Sequence, residues 1–161
     1  MYEVKGGVGM IVYHGSTVIV EHPVIRTERF NKDFYFGFYC TIIESQAVRW
    51  ATRFGNGFLN KYEYTPNNNL NKLTFEMMTD EWLDFIAACR NGKPHEFDIV
   101  EGPMANDTIY NYVQGYIDGK YSRELFWNLA RFKHPTHQIS FHTLKALDTI
   151  TFIGAEEVHD K

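Results

Sequence analysis

Apolar positions along the chain switch between alternating and helical spacing several times, and each switch marks an element. Val8 to Tyr13 is apolar and β-branched and stops at Gly15, which predicts a buried strand. Phe34 to Thr41 is aromatic-rich and strand-like, with Gly37 suggesting a bend or bulge. From Ser45 to Phe54, Ala47, Val48 and Ala51 fall at helical spacing, and Gly55-Asn56-Gly57 closes that helix. Phe58 to Tyr64 alternates as a strand, and Pro66 with three asparagines forms the loop after it. Thr79 is a suitable N-cap, followed by Asp80 and Glu81 in the first turn and by Trp82, Phe85, Ile86 and Cys89 as a buried helix face. Phe97 to Val100 predicts a short strand ended by Gly102-Pro103. Ile109, Tyr112, Val113, Tyr116 and Ile117 form a further amphipathic stripe ending near Gly119, and Ser122 caps a helix carrying Leu125, Phe126 and Leu129. His137 to Thr143 and Thr149 to Ile153 close the chain as strands. Strands at both ends, helices in the middle and no regular βαβ alternation predict an α+β fold.

Composition narrows the class. A chain of 161 residues is most simply one domain, residues 1–161, long enough to bury a core. A net charge of -4 supplies no bulk basic field for a nucleic-acid backbone, though a local basic patch stays open. The aromatic share of 16% suits a core or cleft lined by rings. Cys40 and Cys89 are the two cysteines and lack zinc-type spacing, which favours a reducing, cytoplasmic setting. Glu3 and the absence of an apolar core after a basic start argue against a signal peptide. No apolar run approaches a membrane span, so no membrane partner is expected.

Three separated segments carry the candidate chemistry: Tyr13-His14-Gly15-Ser16, then Gly37-Phe38-Tyr39 leading to Gln46-Ala47 and Trp50, then Gln138-Ile139-Ser140-Phe141. In this order they resemble the histidine, tyrosine and glutamate motifs of the ADP-ribosyltransferase superfamily, the group of the diphtheria toxin and poly(ADP-ribose) polymerase catalytic domains. The resemblance implies two small packed β-sheets flanked by helices and forming a cleft for NAD. It implies that His14 binds a ribose hydroxyl, that the Gly15 backbone grips the carboxamide, and that Ser16 completes the motif. Tyr39 and Trp50 would present ring faces to nicotinamide, Trp50 standing where the pattern has a second tyrosine. Three positions depart from the pattern: Ala47 replaces a serine contact to the carboxamide, Tyr35 stands where a glycine is common, and Gln138 takes the place of the catalytic glutamate.

Breaking the nicotinamide–ribose bond develops positive charge on the sugar, so positioning and electrostatics should carry most of the catalysis. Glutamine can hydrogen-bond a hydroxyl but has no charge and cannot act as a base. Opposite charges about 4 Å apart at an effective dielectric of about 20 interact by about 4 kcal/mol. At about 1.4 kcal/mol per decade, losing that charge slows turnover by up to roughly a thousandfold. An enzyme with His14, Tyr39 and Gln138 as its catalytic set should therefore be slow, restricted to transferring single ADP-ribose units, or dependent on another carboxylate. Strand alternation groups Gln138 with Ser140 and His142, a polar row that fits either a solvent face or a cleft floor.

The resemblance extends to a smaller bacterial branch of the superfamily with toxin-like members. It shares the His-Gly-Ser opening, the start of the helix at Gln46-Ala47 with Trp50-Ala51, the Trp82-Leu83-Asp84-Phe85 helix, Phe97 to Val100, Ala105-Asn106-Asp107 and the strand from Gln138. Gln138 belongs to that branch's own pattern. The branch implies NAD as co-substrate, a macromolecular acceptor and a small antitoxin partner. Asn106-Asp107 fits equally the N-cap of the Ile109 helix. Arg26 and Arg29 could approach a pyrophosphate or simply be solvated. His134, His137 and His142 could suggest a metal, but alternation puts His137 and His142 on opposite faces, and no metal is expected. The competing function is a non-catalytic NAD- or ADP-ribose-binding module, or a protein-interaction module, on the same fold.

Overall fold

The strands divide into a three-stranded and a four-stranded sheet. The computed structural model describes residues 9–25, 33–104, 107–130 and 136–160. In these the chain runs β1 (Met10–Ser16), β2 (Phe38–Cys40), α1 (Glu44–Thr52), β3 (Gly57–Tyr64), β4 (Lys72–Thr74), α2 (Asp80–Arg90), β5 (Ile99–Met104), α3 (Asp107–Ile117), α4 (Arg123–Ala130), β6 (Thr136–Phe141), α5 (Leu144–Leu147) and β7 (Ile150–Val158). One sheet has the order β1-β3-β7 and is antiparallel. The other has the order β2-β6-β5-β4, with only β4 and β5 parallel. The architecture is α+β, with two small sheets and helices.

Val12, Tyr62, Tyr64 and Ile150 of the first sheet meet Phe38, Cys40, Ile99, Ile139 and Phe141 of the second in one apolar seam. The opposite face of the second sheet packs Val100 against Trp82, Leu83 and Ile86 of α2, Ile109 and Val113 of α3, and Phe126 and Ala130 of α4. From Gln138 to Phe141, β6 is therefore buried on both sides. Its polar row takes neither position that alternation left open, because Gln138 and Ser140 lie under the helical layer at 2% and 0% exposure.

α1 lies against β1 and β3 on the side away from the seam, and two glycines permit it. A Cβ at Gly15 would stand 2.7 Å from Ala51 N and closer still to the Ala47 carbonyl oxygen. Gly57 meets the Ala51 carbonyl in the same way. Gly15→Ala should therefore push α1 off the sheet and cost about 3 kcal/mol, read as a lowered urea midpoint. A midpoint unchanged within error would mean that α1 is not seated on Gly15.

Several boundaries differ from expectation for identifiable reasons. β1 does not stop at Gly15, since His14, Gly15 and Ser16 still pair with Asn60, Leu59 and Phe58. β2 is shorter because residues 33–36 form a turn, with Tyr35 at φ 80. β5 runs on through Gly102-Pro103. Its pairing with β4 ends at Glu101, so Pro103 sits where no amide hydrogen is needed on that side. The Pro103 carbonyl accepts the buried Trp82 indole N–H at 2.9 Å. The pattern of apolar positions marks neither β4 nor α5. α5 is capped by Thr143, whose hydroxyl oxygen accepts from Ala146 N. The expected caps of α2 and α4 are present: Thr79 accepts from Trp82 N at 3.2 Å and Ser122 from Leu125 N at 3.1 Å. Among the described residues no helix is long and apolar enough to cross a membrane.

Candidate functional site

The first two motifs meet where β1 and β2 part. The strands are bridged at Tyr13 and Thr41 by reciprocal backbone bonds of 2.7 and 2.9 Å. One residue on, His14 Nδ1 lies 2.6 Å from the Tyr39 carbonyl oxygen. A carbonyl only accepts, so Nδ1 carries the hydrogen, and in the neutral ring the lone pair is on Nε2. The imidazole rests on Phe38 with centroids 4.3 Å apart, and fully buried Asn60 holds the His14 carbonyl at 3.2 Å. The Ser16 hydroxyl oxygen accepts from Val18 N at 3.2 Å, an ordinary local turn. Gly15 presents its Cβ position to α1. Trp50 is half-buried on α1, one turn beyond buried Gln46, and among the described residues it has no ring partner.

Tyr39 and Gln138 project from the other face of their sheet, toward the helices. The Tyr39 hydroxyl donates to the Tyr35 carbonyl at 2.5 Å and accepts from Phe34 N at 3.0 Å. Burial, and then the nearby Asp33 charge, push this phenol well above its ordinary pKa, so it works as a hydrogen-bonding group and not as a base. Gln138 Nε2 donates to Asp33 Oδ2 at 3.3 Å. Asp33 Oδ1 in turn accepts from Arg90 Nε at 3.0 Å and Nη2 at 2.5 Å. The guanidinium lies 3.8 Å from the Tyr110 ring centroid. Tyr39 and Gln138 are thus brought around one buried ion pair, while His14 bonds the Tyr39 backbone carbonyl.

Two further polar units border this arrangement. Gln46 pairs both atoms of its amide with the backbone of His137, accepting from N at 3.1 Å and donating to O at 2.6 Å, and so prolongs β6's pairing beyond the end of β2. The His137 ring links Glu101 Oε2 at 2.8 Å to Thr41 Oγ1 at 3.3 Å, and Lys72 Nζ reaches Glu101 at 2.9 Å. The hydrogen bond from His137, aided by Lys72 and opposed by burial, holds the Glu101 carboxyl down at about 2. This chain borders an open groove of about 620 Å³ that also includes Phe75, Met77 and Pro103. Thr41 is fully buried, so its hydroxyl is no accessible nucleophile despite the triad-like order.

The second unit is His142, whose Nδ1–H donates to the Phe36 carbonyl at 2.5 Å while Nε2 meets the Ser140 hydroxyl at 2.7 Å. His137 and His142 thus serve separate clusters. Arg26, Arg29, Ala105, Asn106, His134 and Pro135 lie outside the described residues.

Asp33, Arg90 and Glu101 belong to no motif or periodic pattern. Arg90 ends a helix, where a basic residue is expected in any case. Only the pairing of β5 with β6 brings Glu101 beside His137.

The fold and this site define a two-sheet α+β domain with a buried polar seam beside the junction of β1 and β2. Residues 10–152 match the family model described as a protein of unknown function, DUF3990, and the chain belongs to that family. No curated protein matches the sequence.

Proposed function

We propose that this protein has the ADP-ribosyltransferase-like fold and transfers single ADP-ribose units from NAD to a macromolecular acceptor, as the toxin of a pair with a small antitoxin. The observation that carries this reading is the hydrogen bond from His14 Nδ1 to the Tyr39 carbonyl. It ties the histidine motif to the tyrosine motif and fixes the orientation of the imidazole at the edge where the ribose would lie. Tyr35 adds support: it stands where the resembled pattern has glycine, and its φ of 80 is the left-handed conformation that favours glycine. In this reading the nicotinamide riboside lies beside His14, Gly15 and Ser16 with Trp50 of α1 as the nearby ring, Tyr39 supports it through the carbonyl that orients His14, and the Gln138 side chain stays buried under the helices.

Gln138 has a physical rationale in this fold. Its amide donates to Asp33, whereas glutamate there would set a second carboxylate against the first. The same buried, uncharged amide favours a second reading, in which the site binds NAD or ADP-ribose without turning it over.

Calorimetric titration with NAD, followed by assays for nicotinamide release and label transfer from NAD to lysate, tests both readings. Binding by the folded wild type is expected, and His14→Ala and Trp50→Ala should each weaken it about tenfold, the loss of about 1.4 kcal/mol. Label transfer establishes the enzyme, while binding without release or transfer leaves the binding module. Folded protein that does not bind NAD overturns both.

A further inference from the structure

A second cavity, of about 290 Å³, opens at the far end of the β2-β6-β5-β4 sheet, between the turn before β2 and the segment leading into β5. Tyr35, Phe36, His95, Glu96, Phe97 and His142 line it. Its volume is small for a ligand site and far too small for a dinucleotide. The walls are rings set at angles to one another. Tyr35 and Phe36 are 4.5 Å apart at 39°, Tyr35 and His95 6.4 Å at 66°, and His95 and Phe97 5.7 Å at 43°. His142 meets His95 edge-on at 4.4 Å and 85°. Parallel faces would form a slot for a flat ring. Inclined faces form a cup, which suits a compact group contacted from several sides.

Charge selects further. Glu96 is among the lining residues, and Asp98 accepts the hydroxyl of Thr143, another of them, at 2.7 Å. Both imidazoles are arranged as neutral rings. His95 Nε2–H donates to the Phe34 carbonyl at 2.9 Å while Nδ1 accepts from Phe97 N at 3.1 Å. His142 is likewise fixed with hydrogen on Nδ1 by the Phe36 carbonyl. Burial holds both below their ordinary pKa, so neither adds positive charge to the cup near neutral pH.

Tyr35 supplies an independent sign. Its φ of 80 is a left-handed conformation that glycine would adopt freely and that costs a tyrosine conformational energy. The strained turn is held by the Tyr39 hydroxyl, which bridges Tyr35 O and Phe34 N. What tyrosine adds at this position is a ring on the wall of the cavity.

We propose that this cup binds an organic cation of the trimethylammonium type through the faces of Tyr35, Phe36 and Phe97 and the carboxylate of Glu96. The site is separate from the NAD reading and does not depend on it. Its ligand would be either a free small cation or a trimethylated lysine side chain.

Titration of the wild-type chain followed by NMR at Tyr35, His95 and His142 tests the site. The probes are choline, its uncharged isostere 3,3-dimethylbutan-1-ol, and a trimethyllysine peptide beside its unmethylated form. Choline or the trimethylated peptide should saturate shifts at all three residues, and the tighter of the two names the source. The neutral isostere and the unmethylated peptide should bind at least about fivefold more weakly, and Glu96→Gln, at an exposed position, should weaken choline about threefold. Equal binding of choline and its neutral isostere, or no shift at these residues with either cation, would overturn the proposal.

Discussion

Arg90→Ala should destabilise the folded protein by about 3–5 kcal/mol, the range found when one partner of a buried ion pair is removed. Arg90 and Asp33 are 2% and 7% exposed at their side chains, and two guanidinium nitrogens converge on one carboxylate oxygen. Gln138 approaches the other oxygen at 3.3 Å, a long bond from a neutral donor. Without the guanidinium, Asp33 loses two charge-assisted hydrogen bonds, and Tyr110 loses the group stacked on its ring. Lysine should rescue poorly, because a single ammonium reproduces neither the forked geometry nor the stacking. The measurement is urea unfolding at pH 7 with the slope checked for constancy. The double variant Asp33→Leu with Arg90→Met should recover most of the loss, since replacing both charges by apolar groups of similar volume is often neutral or stabilising. A single-variant loss below about 1 kcal/mol would mean that water reaches Asp33 and that the pair behaves as a surface salt bridge.

That pair also shows where sequence reading stops. The α2 stripe of Trp82, Phe85, Ile86 and Cys89 and its Thr79 cap were legible because period and capping are local properties. So was the α+β class. The His14 and Tyr39 motifs were legible as separate strings, but their hydrogen bond belongs to the junction of β1 with β2, across 25 residues. Alternation places Gln138 on one face of its strand with Ser140, and the structure has both on β6. What covers that face depends on α2, α3 and α4 folding back over it, and alternation along one strand cannot report a third layer. Gly15 was expected to let a ligand approach the backbone. The approach the structure displays is that of α1, a requirement set by an element some thirty residues later in the chain. The continuation of β5 through Gly102-Pro103 was missed because a proline reads as a stop unless the strand's missing neighbour is known.

The second large effect follows from pH. As pH falls from about 6.5 to about 4, His142 should remove about 3 kcal/mol of stability. Its pKa drops from 6.5 to about 4 in the folded state, because burial disfavours the imidazolium and His95 stands edge-on beside it. The Phe36 carbonyl and then the Asp98 charge act the other way. A histidine with a depressed folded pKa binds protons more readily once unfolded, so the unfolded state gains through that window. The contribution is complete above about pH 6.5 and lost as pH falls toward 4; at about 1.4 kcal/mol per unit the loss is about 3 kcal/mol. His95 is shifted the same way, also by burial, and adds to the slope. Glu101 acts later. Its carboxyl is held down at about 2 by His137 and Lys72, so its contribution is present above about 4.5 and lost below that. Acid unfolding should therefore begin with the imidazoles and steepen when Glu101 takes up its proton. Urea midpoints at pH 7.5, 5.5 and 4.5 read the first loss, and an NMR titration assigns it. His142 should keep its Nδ1–H tautomer through pH 5, whereas titration near 6.5 would show that the ring is solvated and would remove the predicted slope.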